Sequence, residues 1–141
     1  MIRPLQPGDN SAIISIWREA SVLAHPFLTE EQLDKAAAMI RDHFQDIAET
    51  YIAEQDGKPV GFVALMGNEI GGLFLLLSYH GRHIGKALVD KAVEVRGALH
   101  LEVFTDNSIG RRFYQSYGFV AGVEKMDTFF GHKVLELSYT P

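Results

Sequence analysis

A chain of 141 residues has room for one buried core, which excludes two ordinary domains and makes 1–141 a single unit. Its formal net charge of -5 excludes the broad basic field that gathers nucleic acid or anionic lipid, and no stretch approaches the ~20 apolar residues of a membrane span. With 47% hydrophobic and 22% charged residues the composition is globular, not disordered, and the absence of cysteine rules out disulfides, thiolate metal sites and an acyl-cysteine intermediate.

Met1-Ile2-Arg3-Pro4 lacks a basic region leading into an apolar run, so a cytoplasmic protein is expected, and residues 2 to 5 read as a short strand. Pro7-Gly8-Asp9 then turns the chain and offers Asp9 or Asn10 as a helix cap, ahead of Ile13, Ile14, Trp17 and Ala20 at helical spacing. Thr29 followed by Gln32 has the form of a capping box. Behind it Leu33, Ala36, Ala37, Ile40, Phe44 and Ile47 make one apolar stripe, which predicts a second helix.

From Thr50 the period changes. Tyr51 to Glu54 leads into Asp56-Gly57, a strong hairpin signal, and Val60 to Met66 returns as the partner strand. A turn at Gly67-Asn68 precedes Gly72 to Leu77, an apolar run expected of a strand covered on both faces. After a loop from Ser78 to His83, a helix from Ile84 should bury Ala87, Leu88, Lys91, Ala92 and Val95. Leu99 to Phe104 reads as a strand, Arg111 to Tyr117 as a helix, and Phe119 to Lys125 and Lys133 to Tyr139 as two strands turning at Gly131. The order β-α-α-β-β-β-α-β-α-β-β predicts an α/β (α+β) fold, a mixed sheet with helices on both faces.

The segment from Ser78 to Leu88 leaves a strand and opens a helix, which aims the free N–H groups of the first turn and the positive end of the helix dipole at one point. A pyrophosphate suits such a point: glycines allow close approach, and Arg82 and Lys86 add charge at the rim. Asp106-Asn107-Ser108 forms a second strand-to-helix junction, followed by Arg111 and Arg112. Two such junctions with basic residues, in an acidic chain, suit a long polyanionic cofactor.

The stretch HGRHIGKAL, from His80 to Leu88, and LEVFTDNSIGRRFYQSYGF, from Leu101 to Phe119, resemble the acetyl-CoA-binding core of the GNAT superfamily of N-acetyltransferases. The stretches span about a third of the chain, and the element order carries the likeness through nearly all of it. The resemblance implies a mostly antiparallel sheet of six to seven strands, splayed between the fourth and fifth. It places the pantetheine arm of acetyl-CoA in the splay, against the backbone of the strand holding Leu75 and Leu77. It assigns the pyrophosphate to His80, Gly81, Arg82, His83, Ile84, Gly85 and Lys86, the pantetheine side to Asn107, and the adenosine phosphate to Arg111 or Arg112. The loop departs from the family pattern, with His80 where Gln or Arg is usual and His83 where Gly is usual.

The same resemblance puts the Tyr114 hydroxyl near the thioester sulfur, as the acid that protonates the departing coenzyme A thiolate. The reaction implied is direct attack by a primary amine, from a small molecule, a protein lysine or an N-terminus. Its proton goes to a general base or an ordered water, with His25 and Glu54 as the candidate bases and Glu102 behind them. Trp17 reads better as core, although it and Phe27 can also line an acceptor pocket. No metal is expected, since His80 and His83 have no third ligand nearby, and a homodimer through the tail strands is one assembly the sequence allows. The alternative function is a non-catalytic acyl-CoA-binding regulatory module.

Overall fold

The computed structural model describes residues 1–41 and 48–141. The elements, in order, are β1 (Ile2–Pro4), α1 (Asn10–Ala24), α2 (Glu30–Met39), β2 (Glu49–Gln55), β3 (Lys58–Met66), β4 (Glu69–Leu75), a 3-10 turn (Leu77–Tyr79), α3 (Ile84–Arg96), β5 (Leu99–Phe104), α4 (Ser108–Tyr117), β6 (Val120–Asp127) and β7 (His132–Tyr139). The strands form one seven-stranded sheet in the order β1-β2-β3-β4-β5-β7-β6. Every neighbouring pair runs antiparallel except β4 and β5, which run parallel.

Local signals explain most of these boundaries. Thr29 and Gln32 form a reciprocal capping box, each side chain accepting the other's backbone N–H, so two otherwise orphaned donors at the start of α2 are satisfied. Asp56 and Gly57 both take positive φ, 53° and 75°, which matches the twist of the β2–β3 hairpin they close. Asp9 stands at the cap position of α1 but does not cap it. Its carboxylate instead accepts the Gln6 N–H at 2.7 Å and the Arg3 guanidinium at 2.9 Å. Phe44 and Ile47 of the expected second-helix stripe lie outside the described residues.

The strand covered on both faces is β3, where every residue from Val60 to Leu65 is buried. That property was expected of Gly72 to Leu77, and the structure corrects it. In β4 only Ile70 and Gly72 are buried, the strand ends at Leu75, and Leu77 lies in the 3-10 turn with 55% of its surface exposed. The apolar run fits because it borders a cavity, as described below. Helices α1 and α3 both pack on β3 and β4, from opposite faces of the sheet. Ile84, Leu88, Val89 and Ala92 form the buried face of α3, each fully buried aliphatic side chain contributing about 1.5–3 kcal/mol. Helix α4 lies beside α3, where Tyr117 Oη donates to Asp90 at 2.7 Å. Among the described residues no helix is long and apolar enough to cross a membrane.

Candidate active site

Strands β4 and β5 are held together at one end only. Their register contains a single pair, Glu69 with His100, reinforced by the His100 N–H on the Asn68 carbonyl at 3.0 Å and by Asn68 Nδ2 on the Ala98 carbonyl at 2.9 Å. Beyond that clasp the strands diverge, and among the described residues no backbone hydrogen bond joins their facing edges. A cavity of about 590 Å³ occupies the opening, bordered by residues 70–75 of β4 and 101–104 of β5. It passes through the sheet. Trp17, Leu23 and Met39 of α1 and α2 line one side, and Gly85, Phe113 and Tyr114 of α3 and α4 the other.

At the start of α3 the backbone forms a cradle. The His80 N–H is taken by Leu77 and the Ala87 N–H by His83, but the six amides from Gly81 to Lys86 between them donate to no described residue. Gly81 and His83 both have positive φ, 78° and 62°, which curls this loop. His83 thus adopts the backbone conformation of the glycine whose place it takes, at a cost of about 1–2 kcal/mol for a residue with a Cβ. Its side chain is exposed and does not cap the helix. A diphosphate fits the cradle on chemistry: a run of free donors, the positive end of a 13-residue helix, and open space around the Gly81 Cα.

The charged side chains around this loop are already engaged. Lys86 borders the cavity and pairs with Asp90 at 3.0 Å, and Arg82 lies over the Tyr79 ring at 5.1 Å, outside the cavity lining. His80 Nε2 sits 3.1 Å from the Leu75 carbonyl. Leu75, His80, Gly81, His83, Ile84 and Gly85 border the cavity, whereas Leu77 does not. Arg111 donates to the Thr105 carbonyl at 3.0 Å, Arg112 is exposed, and neither reaches the lining.

Three other residues meet at the divergent end. Tyr114 is 7% exposed, packed edge-on against Phe113 and Phe119, and its hydroxyl bonds to no described residue. Burial pushes its ionisation well above the ordinary phenol range, so the hydroxyl keeps its proton at neutral pH. Asn107 caps α4, its Oδ1 accepting the Gly110 N–H at 2.9 Å. That bond fixes the amide's orientation and turns Nδ2 toward His25 Nε2, 3.2 Å away. A Cβ on residue 110 would lie 2.6 Å from that Nδ2, so the approach requires glycine.

His25, the C-cap of α1, is buried against the rings of Phe27, Phe74 and Phe104, and burial pushes its pKa down to about 4. The imidazole is therefore neutral near pH 7. Because Nε2 accepts from Asn107, the proton belongs on Nδ1, and the lone pair a general base would use is occupied. The contact joins α1, on one face of the sheet, to the first turn of α4 on the other.

Glu54 is not at this site. Its expected place as a candidate base is corrected: its carboxylate accepts Arg3 Nε at 2.6 Å, at the far end of the sheet where β1 meets β2, and it does not border the cavity. Glu102 does border it and pairs with Lys125 at 2.5 Å. Sequence reasoning missed the aromatic box around His25 and the carboxylate of Asp127, which also lines the cavity. Of the His25 cluster, Asn107 was readable as part of the strand-to-helix junction at residues 106–108. Among the described residues no three His, Asp or Glu side chains converge as metal ligands do.

Comparison with known proteins agrees with this geometry. A family described as Acetyltransferase (GNAT) domain matches residues 46–121. The peptidyl-lysine N-acetyltransferase YiaC of Escherichia coli is 33% identical over 120 residues, covering 84% of this chain and 82% of that one. The peptidyl-lysine N-acetyltransferase YjaB of Salmonella typhimurium is 30% identical over 128 residues, covering 89% and 88%. The solution structure of apo YjaB from Escherichia coli superimposes with a TM-score of 0.89 at 25% identity, over 99% of this chain and 96% of that one. The PaiA N-acetyltransferase of Thermoplasma acidophilum, solved with coenzyme A, has the same fold at a TM-score of 0.74 and 24% identity, over 99% and 98%.

Proposed function

The chain belongs to the GNAT acetyltransferase family and is an acyltransferase that moves the acetyl group of acetyl-CoA to an amine; from its cavity and its relatives we propose that the acceptor is the side-chain amine of lysine in a peptide or protein. The observation that carries this reading is the single-pair clasp between β4 and β5. It leaves an edge of unpaired backbone beside a cavity that runs from a cradle of free amides through the sheet. The cradle from Gly81 to Lys86 holds the diphosphate of the cofactor, and the free edge of β4 pairs with the amides of its pantetheine arm.

The reacting carbonyl then lies between Tyr114 and the α1 side of the sheet. The amine lone pair attacks the thioester carbon, the new C–N bond forms as the C–S bond breaks, and Tyr114 donates its proton to the departing thiolate. Tyr114 is protonated at neutral pH, and because burial disfavours its phenolate, the proton released by the amine returns to it through water as the thiol leaves. The acceptor's own proton leaves through water, because His25 Nε2 is engaged and Glu54 is remote. His25 acts instead by holding Asn107, which fixes the start of the helix that carries Tyr114. The relatives YiaC and YjaB, both peptidyl-lysine N-acetyltransferases, support the lysine specificity of the proposal. The apolar walls at Trp17, Leu23 and Met39 suit the methylene stem of that side chain.

The test is thiol release from acetyl-CoA with a panel of lysine peptides, free N-terminal peptides and small amines, read beside coenzyme A binding by calorimetry. Thiol release with the lysine peptides, accompanied by an acetyl mass increase on the ε-amine, is expected. Turnover confined to other amines overturns the acceptor, and binding without any turnover identifies an acyl-CoA-binding module instead.

A further inference from the structure

Among the described residues two carboxylates border the cavity, and they differ in their surroundings. Glu102 is matched by Lys125. Asp127, at the end of β6, has no cationic group within 4.0 Å among the described residues; its Oδ2 accepts only the Phe130 N–H, at 2.7 Å. Its cross-strand partner His132 turns its ring onto Phe27 and Phe104. The remaining charge-bearing groups of the described lining, His25, His80, His83 and Lys86, belong to the divergent end and the cradle.

The hairpin turn that holds Asp127 is fixed over the α1 and α2 side of the sheet. The Gln32 side chain donates to the Phe130 carbonyl at 2.9 Å, and the Phe130 ring packs on Phe104, which packs on His25. Closing the turn uses one oxygen and no charge, so an asparagine would serve equally well. The second oxygen and the negative charge have no partner among the described residues, on the side of the cavity opposite the phosphate cradle.

We propose that Asp127 selects the acceptor, its carboxylate drawing a cationic amine into the α1 side of the cavity before transfer. The inference rests on the acetyltransfer reading above and adds to it the residue that recognises charge on the acceptor. Attraction of this kind acts on capture, so it belongs in KM and weakens with salt, whereas the chemical step at Tyr114 is unaffected.

The experiment compares wild type with Asp127→Asn, which keeps the acceptor for the Phe130 N–H. Two peptides of matched length serve as acceptors, one with lysine and one with its aminooxy analogue, which is uncharged at neutral pH. KM for the lysine peptide should rise by roughly 5- to 10-fold in the variant with kcat little changed, while the aminooxy peptide shows no difference. In wild type, raising the salt concentration should raise KM for the lysine peptide alone. This second readout needs no variant to fold. Equal effects on both peptides, or a salt-independent KM, overturn the proposal. If wild type acetylates neither peptide, the lysine reading fails by itself. Asp127 is then judged by direct binding of the lysine peptide to the coenzyme A complex, where an unchanged affinity in the variant counts against it.

Discussion

Acidification from pH 7 to pH 4.5 will weaken the fold through one imidazole. His25 is buried with a pKa near 4, while an unfolded histidine titrates near 6.5. Between those values the unfolded chain takes up a proton that the native chain refuses, so stability falls as pH drops below 6.5 and levels off near 4. At 1.36 kcal/mol per pKa unit, the loss attributable to this residue at pH 4.5 is about 2.5 kcal/mol. The comparison is His25→Gln, whose side-chain carbonyl can still accept from Asn107 but cannot titrate. Asp9 and Asp90, held below the usual carboxylate range by Arg3 and by Tyr117, contribute only at still lower pH and equally in both proteins. Urea unfolding at several pH values reads the effect, with the single, buried Trp17 as the fluorescent probe. A wild-type-minus-variant difference that stays constant from pH 7 to 4.5 would refute the reasoning, because it would mean His25 is hydrated or already charged in the native state.

Replacing Tyr114 by Phe should lower kcat by roughly 100-fold or more with coenzyme A affinity little changed, as calorimetry and thiol release together will report. Glu54→Gln should leave turnover intact while costing about 1 kcal/mol of stability in urea, since it loosens the pair with Arg3 and touches nothing at the cavity. Gly110→Ala places a methyl where the Asn107 amide lies. Losing the cap and leaving the buried His25 nitrogen unpaired should cost about 2–3 kcal/mol, seen by calorimetry as a fall of roughly 6–12 °C in Tm.

Features encoded by neighbours were readable in the sequence. The Thr29–Gln32 box and the Asp56-Gly57 hairpin need only a few consecutive residues, and both occur as expected. The end of β4 was not readable, because Leu75, Leu76 and Leu77 look alike in composition. The chain leaves the strand where the Tyr79 and His80 N–H groups turn back onto the Leu76 and Leu77 carbonyls, although the Leu76 N–H still reaches Val60 of β3. The same limit governs the site. The cradle was legible from its glycines and the helix behind it, but the sequence could not show that the basic residues beside it meet Tyr79, Asp90 and the Thr105 carbonyl. Glu54 finds Arg3 across 51 positions and His25 finds Asn107 across 82, separations at which spacing carries no signal.

A cavity that pierces a sheet has two mouths. One reactant can occupy its doorway without blocking the other's, so sterics impose no queue: cofactor and acceptor can arrive in either order, and the spent carrier can depart while the modified partner is still seated. Initial-rate plots for such an enzyme intersect instead of running parallel, and each product competes with the reactant that shares its own entrance.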